Sequence, residues 1–94
     1  MRVKTTKQYD RAEKGYAKKH YPIERIADCV DAIVSNDIDF LKKHKDHSIG
    51  SAREMHIDRQ YNDDWLLIYR VDHGQLELLL INMGSHDQLN RMVY

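Results

Sequence analysis

Residues 65–71, Trp-Leu-Leu-Ile-Tyr-Arg-Val, are apolar at both parities of a strand, with Arg70 the one interruption. Successive strand side chains point to opposite faces, so this segment needs cover on both sides and belongs in the middle of a sheet. Its neighbours in sequence supply the flanking strands. Residues 52–58 alternate, with Arg53, Met55 and Ile57 on one face and Glu54, His56 and Asp58 on the other. Residues 59–63 form a polar loop. Asp72-His73-Gly74 reads as a hairpin turn with Gly74 at positive φ. Residues 75–83 follow as a third strand, ended by Gly84-Ser85, and 87–94 form a short tail that pairs with the sheet or makes a turn of helix.

The first half has a different period. Residues 2–6 read as a short strand, and Thr6 is placed to cap the helix that follows. Tyr9, Ala12, Tyr16 and Ala17 recur at helical spacing over 7–19. Tyr21-Pro22 breaks that helix, and Pro22 suits the first position of the next. Ile23, Ile26, Ala27, Val30, Ile33 and Val34 make a continuous stripe over 22–34. The short link predicts an αα-hairpin. Residues 38–43 read as a connector pinned by Phe40 and Leu41. The expected fold is α+β: an N-terminal short strand and αα-hairpin packed on one face of a twisted antiparallel sheet, with the other face free for a site.

A chain of 94 residues is expected to be a single domain, 1–94. With 41% hydrophobic and 32% charged residues it is globular in composition. No apolar run is long enough for a membrane span, and the first ten residues lack the apolar core of a signal peptide. Cys29, the one cysteine, leaves no internal disulfide and sits on an apolar helical face. These features predict a cytoplasmic protein. Net charge is zero, but residues 1–45 carry 11 Lys+Arg against 7 Asp+Glu and residues 46–94 carry 4 against 8. A general nucleic-acid binder carries a positive excess; here any basic edge has to come from the first half.

Four ionisable groups can meet on the open face. His47 precedes the first sheet strand, His56 lies on it, Asp64 opens the next and His86 follows the last. Sequential antiparallel pairing brings Asp64 beside His86. Two imidazoles and a carboxylate are what acid–base chemistry near neutral pH requires. A metal set drawn from His44, His47, His56 and His86 is the weaker reading, because no HExxH is present and Cys29 is placed for packing. His20 and His73 sit at a helix end and a turn, and Trp65 reads as core. No P-loop, dinucleotide fingerprint or nucleophile elbow occurs.

In this order, Lys-Asp-His-Ser-Ile (45–49), Arg-Glu-Met-His-Ile (53–57), Asp-Trp-Leu-Leu-Ile-Tyr (64–69) and Gly-Ser-His-Asp-Gln-Leu (84–89) resemble the YafQ-type toxins of the RelE/ParE superfamily. The resemblance covers residues 44–89 by motif and the helices by layout. It implies a RelE-like fold and the toxin half of a type II toxin–antitoxin pair. It further implies a ribosome-dependent mRNA endoribonuclease in which the RNA's 2′-OH is the nucleophile, leaving a 2′,3′-cyclic phosphate and a 5′-OH. The implied partners are a cognate antitoxin, the ribosome and mRNA, with an oligomeric toxin–antitoxin complex, and no metal or other cofactor. Carried over, His47, His56, Asp64 and His86 are the catalytic candidates, with Lys45, Arg53, Asn82 and Arg91 for RNA contact.

Two positions depart from the family. Asn82 stands where the family has an arginine two residues before the glycine of Gly-Ser-His, and Asn90 stands near where it has a phenylalanine. The 58–63 link is also longer than the family's. An amide cannot replace a guanidinium against phosphorane charge, so the departures predict a weakened nuclease unless Arg53, Arg59 or Arg91 supplies the cation. The alternative they raise is a homologue that binds antitoxin or ribosome without cutting.

Overall fold

In the computed structural model, which describes residues 1–91, the doubly apolar segment lies in β4 (Asn62–Asp72), the central strand of five. Trp65, Leu66, Leu67 and Ile68 are fully buried. Each such side chain contributes about 1.5–3 kcal/mol by leaving water, which is why this strand anchors the sheet. β3 (Ala52–Asp58) and β5 (Glu77–Gly84) flank it antiparallel, β2 (His47–Ile49) pairs antiparallel outside β3, and β1 (Arg2–Thr5) pairs parallel outside β5. The sheet order is thus β1-β5-β4-β3-β2. The short strand expected at residues 2–6 joins the sheet as β1, in parallel, and β2 is a further strand, on which His47 lies rather than before the sheet.

The helices cover one face. α1 (Lys7–Lys18) starts at Thr6, whose hydroxyl oxygen accepts the Tyr9 N–H at 3.0 Å and whose O–H donates to the Ile81 carbonyl at 2.6 Å. One threonine therefore caps the helix and ties it to β5. α2 (Arg25–Ser35) begins three residues after Pro22, not at it, because residues 22–24 form a turn first. It ends on Asn36 in the left-handed conformation. Residues 38–43 are a short helix, α3 (Ile38–Lys43), capped by the Asp37 side chain. α1 rests on β5 and α2 on β3 and α3, so each helix packs mainly on its own part of the layer rather than as a tight pair. Tyr9, Ile26, Cys29, Ile33, Met55, Ile57, Trp65, Leu67 and Tyr69 belong to the core between helices and sheet.

The opposite face is not free. Ala52, Leu66, Ile68 and Leu89 form a second small core there, with Ile49 and Ile81 against it. Leu89 belongs to α4 (His86–Leu89), a single turn closed by a capping box between Ser85 and Gln88. This turn accounts for the tail up to Leu89; residues 92–94 lie outside the described residues. A Cβ at Gly84 would stand 2.7 Å from Gln88 Oε1, so a larger residue there has to shift the Gln88 side chain of the capping box. In the β4–β5 turn the positive φ falls on Leu76 instead of Gly74. The turn is longer than the expected tight hairpin, and the Leu76 carbonyl is aimed at the Arg2 N–H, 2.8 Å away. Among the described residues no helix is long and apolar enough to cross a membrane.

Candidate active site

β3 and β4 pair with His56 opposite Leu66, and β4 and β5 with Leu66 opposite Gly84. This row carries His56 to the end of the sheet at which α4 begins. His86 is the first residue of α4, so its backbone N–H has no partner within the helix. Asp64, at the start of β4, takes it: Oδ1 accepts that N–H at 2.7 Å and the His86 Nδ1–H at 2.6 Å. These bonds, backbone first and ring second, hold the Asp64 carboxyl below the usual carboxylate range.

His56 is 5% exposed. Its Nδ1–H donates to the Asp63 carbonyl at 2.7 Å, and the Asp63 carboxylate stands 3.1 Å from the same nitrogen. The His56 and His86 rings lie 5.5 Å apart, centre to centre. Both rings thus commit Nδ1 to an oxygen, which leaves Nε2 of each as the nitrogen for a substrate. Asp63 itself is held below the usual range by its bond from Arg59 at 2.9 Å, with the charges of His56 and Lys45 adding to the effect.

His47 stands one strand outward. It pairs in register with Glu54, its Nδ1–H donates to the Lys45 carbonyl at 2.7 Å, and its Nε2 lies 3.3 Å from Glu54 Oε1. Glu54 is 6% exposed on the face that carries His56. Sequence reasoning passed over it, although its parity with His56 was the available signal. His44 was passed over as a support: its Nδ1–H donates to the His56 carbonyl at 2.6 Å, the His56 N–H donates back to the His44 carbonyl at 2.8 Å, and the ring stacks on Phe40 at 3.9 Å.

The RNA-contact candidates divide. Lys45 adopts a left-handed turn beside the Asp63–His56 pair. Arg53 is taken up by Asp46, to which Nε and Nη2 donate at 2.9 and 2.7 Å, while the Tyr69 hydroxyl donates to the other Asp46 oxygen. Asn82 is buried in register with Ile68, next to a β-bulge at Ile81, and its Oδ1 accepts the Met83 N–H at 2.9 Å. Arg91 is exposed and pairs with Asp87 at 3.3 Å. Among the described residues no group of three or more His, Cys, Asp or Glu is placed to hold a metal ion.

Residues 1–91 match the model of a family described as bacterial toxin of type II toxin–antitoxin system, YafQ. The chain belongs to the YafQ toxin family. The resemblance read from four short motifs thus extends across both helices and β1. The chain is also similar to solved YafQ-type structures. A metal-bound toxin from Helicobacter pylori shares 23% identity at a TM-score of 0.78, over 95% of this chain and 98% of that one. YafQ from E. coli strain BL21(DE3) shares 20% at 0.77, over 95% and 98%. YafQ in the E. coli DinJ–YafQ toxin–antitoxin complex shares 23% at 0.74, over 93% of each chain. These likenesses carry the RelE-like fold. No curated protein sequence matches the chain. Within the YafQ fold, the His56, Asp64 and His86 constellation sits where β3, β4 and the β5–α4 junction meet.

Proposed function

We propose that this YafQ toxin is an mRNA endoribonuclease acting on the ribosome by metal-independent acid–base catalysis. The observation that carries the reading is the His56–His86 pair: two imidazoles 5.5 Å apart, each with Nδ1 bonded to an oxygen of the Asp63-Asp64 step. Two rings so spaced can bracket one phosphate.

In the reaction, His86 Nε2 takes the 2′-OH proton while the 2′-oxygen attacks phosphorus. The resulting imidazolium is stabilised by the Asp64 carboxylate. His56, its charge balanced by Asp63, gives a proton to the departing 5′-oxygen. The P–O5′ bond breaks as the P–O2′ bond forms, yielding a 2′,3′-cyclic phosphate and a 5′-OH. Proton gain and loss balance, and no cofactor enters. Arg59, paired with Asp63 at 2.9 Å, is the cation nearest the pair's acidic supports, Lys45 acts on Asp63 from farther off, and His47 with Glu54 lines the flank from which RNA approaches. Asn82 sets the rate lower than an arginine would. Arg53, bound to Asp46, and Arg59, bound to Asp63, are both taken up by carboxylates; Lys45 remains as the substitute cation.

The partners follow from the same reading: mRNA and the ribosome as target in the cytoplasm, and a cognate antitoxin that silences the toxin in an oligomeric complex. The DinJ–YafQ complexes among similar structures support the antitoxin. The second reading, a toxin that binds antitoxin or ribosome without cutting, is favoured by the buried amide at Asn82.

Induction in a bacterial host with primer-extension mapping of mRNA 5′ ends separates them. New in-frame cuts within codons, lost in His86→Ala, establish the nuclease. Growth arrest without new 5′ ends establishes the binding reading and ends the catalytic one.

A further inference from the structure

Beside the catalytic pair lies a cleft of about 880 Å³ between the β3–β4 hairpin and α3, within the usual size range of small-ligand sites. Tyr61 and Arg59 form its hairpin wall, and Phe40, Lys43 and His44 its helical wall. The cleft adjoins the site through two of its lining residues. The Asp63 carbonyl fixes the His56 ring, and the His44 ring fixes the His56 carbonyl.

We propose that this cleft is a nucleobase subsite in which Tyr61 provides the stacking surface and the lining carboxylates favour, at a position flanking the cut, a base with an exocyclic amine. The inference rests on the endoribonuclease reading. Its first support is the charge pattern. Arg59 is paired with Asp63 at 2.9 Å, and Arg25 with Asp28 at 3.4 Å and Asp58 at 3.6 Å. A cleft so neutralised is no phosphate trap, yet it offers carboxylate oxygens that accept from the exocyclic amine of a base. Its second support is the aromatic lining. Tyr61 is 50% exposed but backed by Tyr21 at 5.1 Å and Trp65 at 6.4 Å, and the Phe40–His44 stack lies across the cleft. The Asn62 amide donates to the Tyr21 hydroxyl at 3.1 Å, which steadies the backing ring. A half-open ring held in place stacks a base at little ordering cost. Its third support is position: the turn between β3 and β4, residues 59–61, forms this wall and leads into Asp63, whose carbonyl holds the His56 ring.

The experiment maps 5′ ends across cellular mRNA after induction of the wild type, Tyr61→Ala, Tyr61→Leu and Tyr61→Phe. Leucine keeps apolar packing on Tyr21 and guards against a folding defect. The expected result is a base preference at one position flanking the cut in the wild type, with cutting at the preferred sites about 5- to 150-fold weaker in the alanine and leucine forms, the worth of one base–aromatic stack, and retained in the phenylalanine form. A wild type without base preference, or preferred-site cutting undiminished in every form, overturns the subsite and leaves the nuclease standing. Unchanged cuts with weakened antitoxin binding overturn it in favour of a protein contact. A wild type that makes no cuts overturns the nuclease reading and the subsite with it.

Discussion

One oxygen of Asp64 accepts two hydrogen bonds from one residue, the backbone N–H of His86 at 2.7 Å and its ring Nδ1–H at 2.6 Å. The residues are 22 apart in sequence, and the two hydrogen bonds fix both where the α4 turn starts and which ring nitrogen Asp64 leaves unbonded. Asp64→Asn keeps an oxygen for the N–H but loses the charge that, in the proposed mechanism, stabilises the His86 imidazolium. The expected outcome is a fall in mRNA cleavage of about 10²- to 10⁴-fold, the range associated with a positioned acid–base group. Both side chains are about half exposed, so urea unfolding should move by no more than about 1 kcal/mol.

The same relationship predicts a pH signature. A carboxyl whose folded pKa is lowered contributes stability above its unfolded value, about 3.9, and loses it as pH falls through the lower folded value. The Asp64 contribution is therefore intact at pH 5 and above and disappears only in stronger acid. The two bonds can be separated by substitution. His86→Ala removes the ring alone, so the Asp64 midpoint should rise only part of the way. His86→Pro removes the N–H as well, at a first helical position that tolerates proline, so the midpoint should return to the ordinary range. Carboxyl carbon shifts followed by NMR across the titration check both; identical midpoints in the two variants would remove the backbone bond from the account.

Arg53 is expected to act through stability. Its partner Asp46 has a side chain only 8% exposed and also takes the Tyr69 hydroxyl. Removing the guanidinium leaves a buried carboxylate without its cation. Arg53→Ala should lose about 1–3 kcal/mol in urea unfolding, whereas Arg91→Ala, which breaks an exposed i,i+4 pair, should lose less than about 0.5 kcal/mol. Equal losses would refute the buried network.

The sequence carried the periodic elements well because their signals are local. The stripe from Ile23 to Ile33 and the apolar run from Trp65 reflect burial read along one element, whereas Ala27 and Val34 of that stripe are exposed and residues 54–57 are buried on both faces despite their alternation. What stayed hidden depends on partners distant in sequence. β1 has no exposed-to-buried alternation, since all four of its residues are exposed, and its parallel pairing with β5 could not be read from Arg2–Thr5. Glu54 and Asn82 are polar yet buried because the small core around Leu66, Ile68 and Leu89 covers the face they share. At the site, Asp64 and His86 were legible from sequential pairing. The assignment of Arg53 to Asp46 and of His44 to the His56 carbonyl required the fold.

Cys29 should be silent to thiol chemistry. Its side chain is fully buried, with Sγ 3.7 Å from the Ile57 carbonyl, and burial pushes the thiol pKa up to about 12. The thiolate is the reactive species, so native protein should resist a thiol-specific alkylating reagent for as long as it stays folded. Full labelling is expected in urea. Labelling of the native protein at the rate seen in urea would mean that α2 opens from the sheet on that timescale.

Asn82 offers the most direct gain-of-function test. It pairs with Ile68 on the face of the sheet that carries His56. Asn82→Arg gives up the Oδ1 bond to the Met83 N–H, at about 1 kcal/mol. The longer side chain can run its methylene stem over Ile68 and keep its guanidinium at the water-exposed edge, where it can meet phosphorane charge. One well-placed donor to a developing oxyanion accounts for about 10²- to 10³-fold in rate. A rise of at least tenfold in ribosome-bound mRNA cleavage is therefore expected, with a modest fall in the urea midpoint. Asn82→Leu, similar in bulk and uncharged, should show no gain. If the folded arginine form cuts no faster, the cation this chain uses is already in place, and Lys45 becomes the residue to remove next.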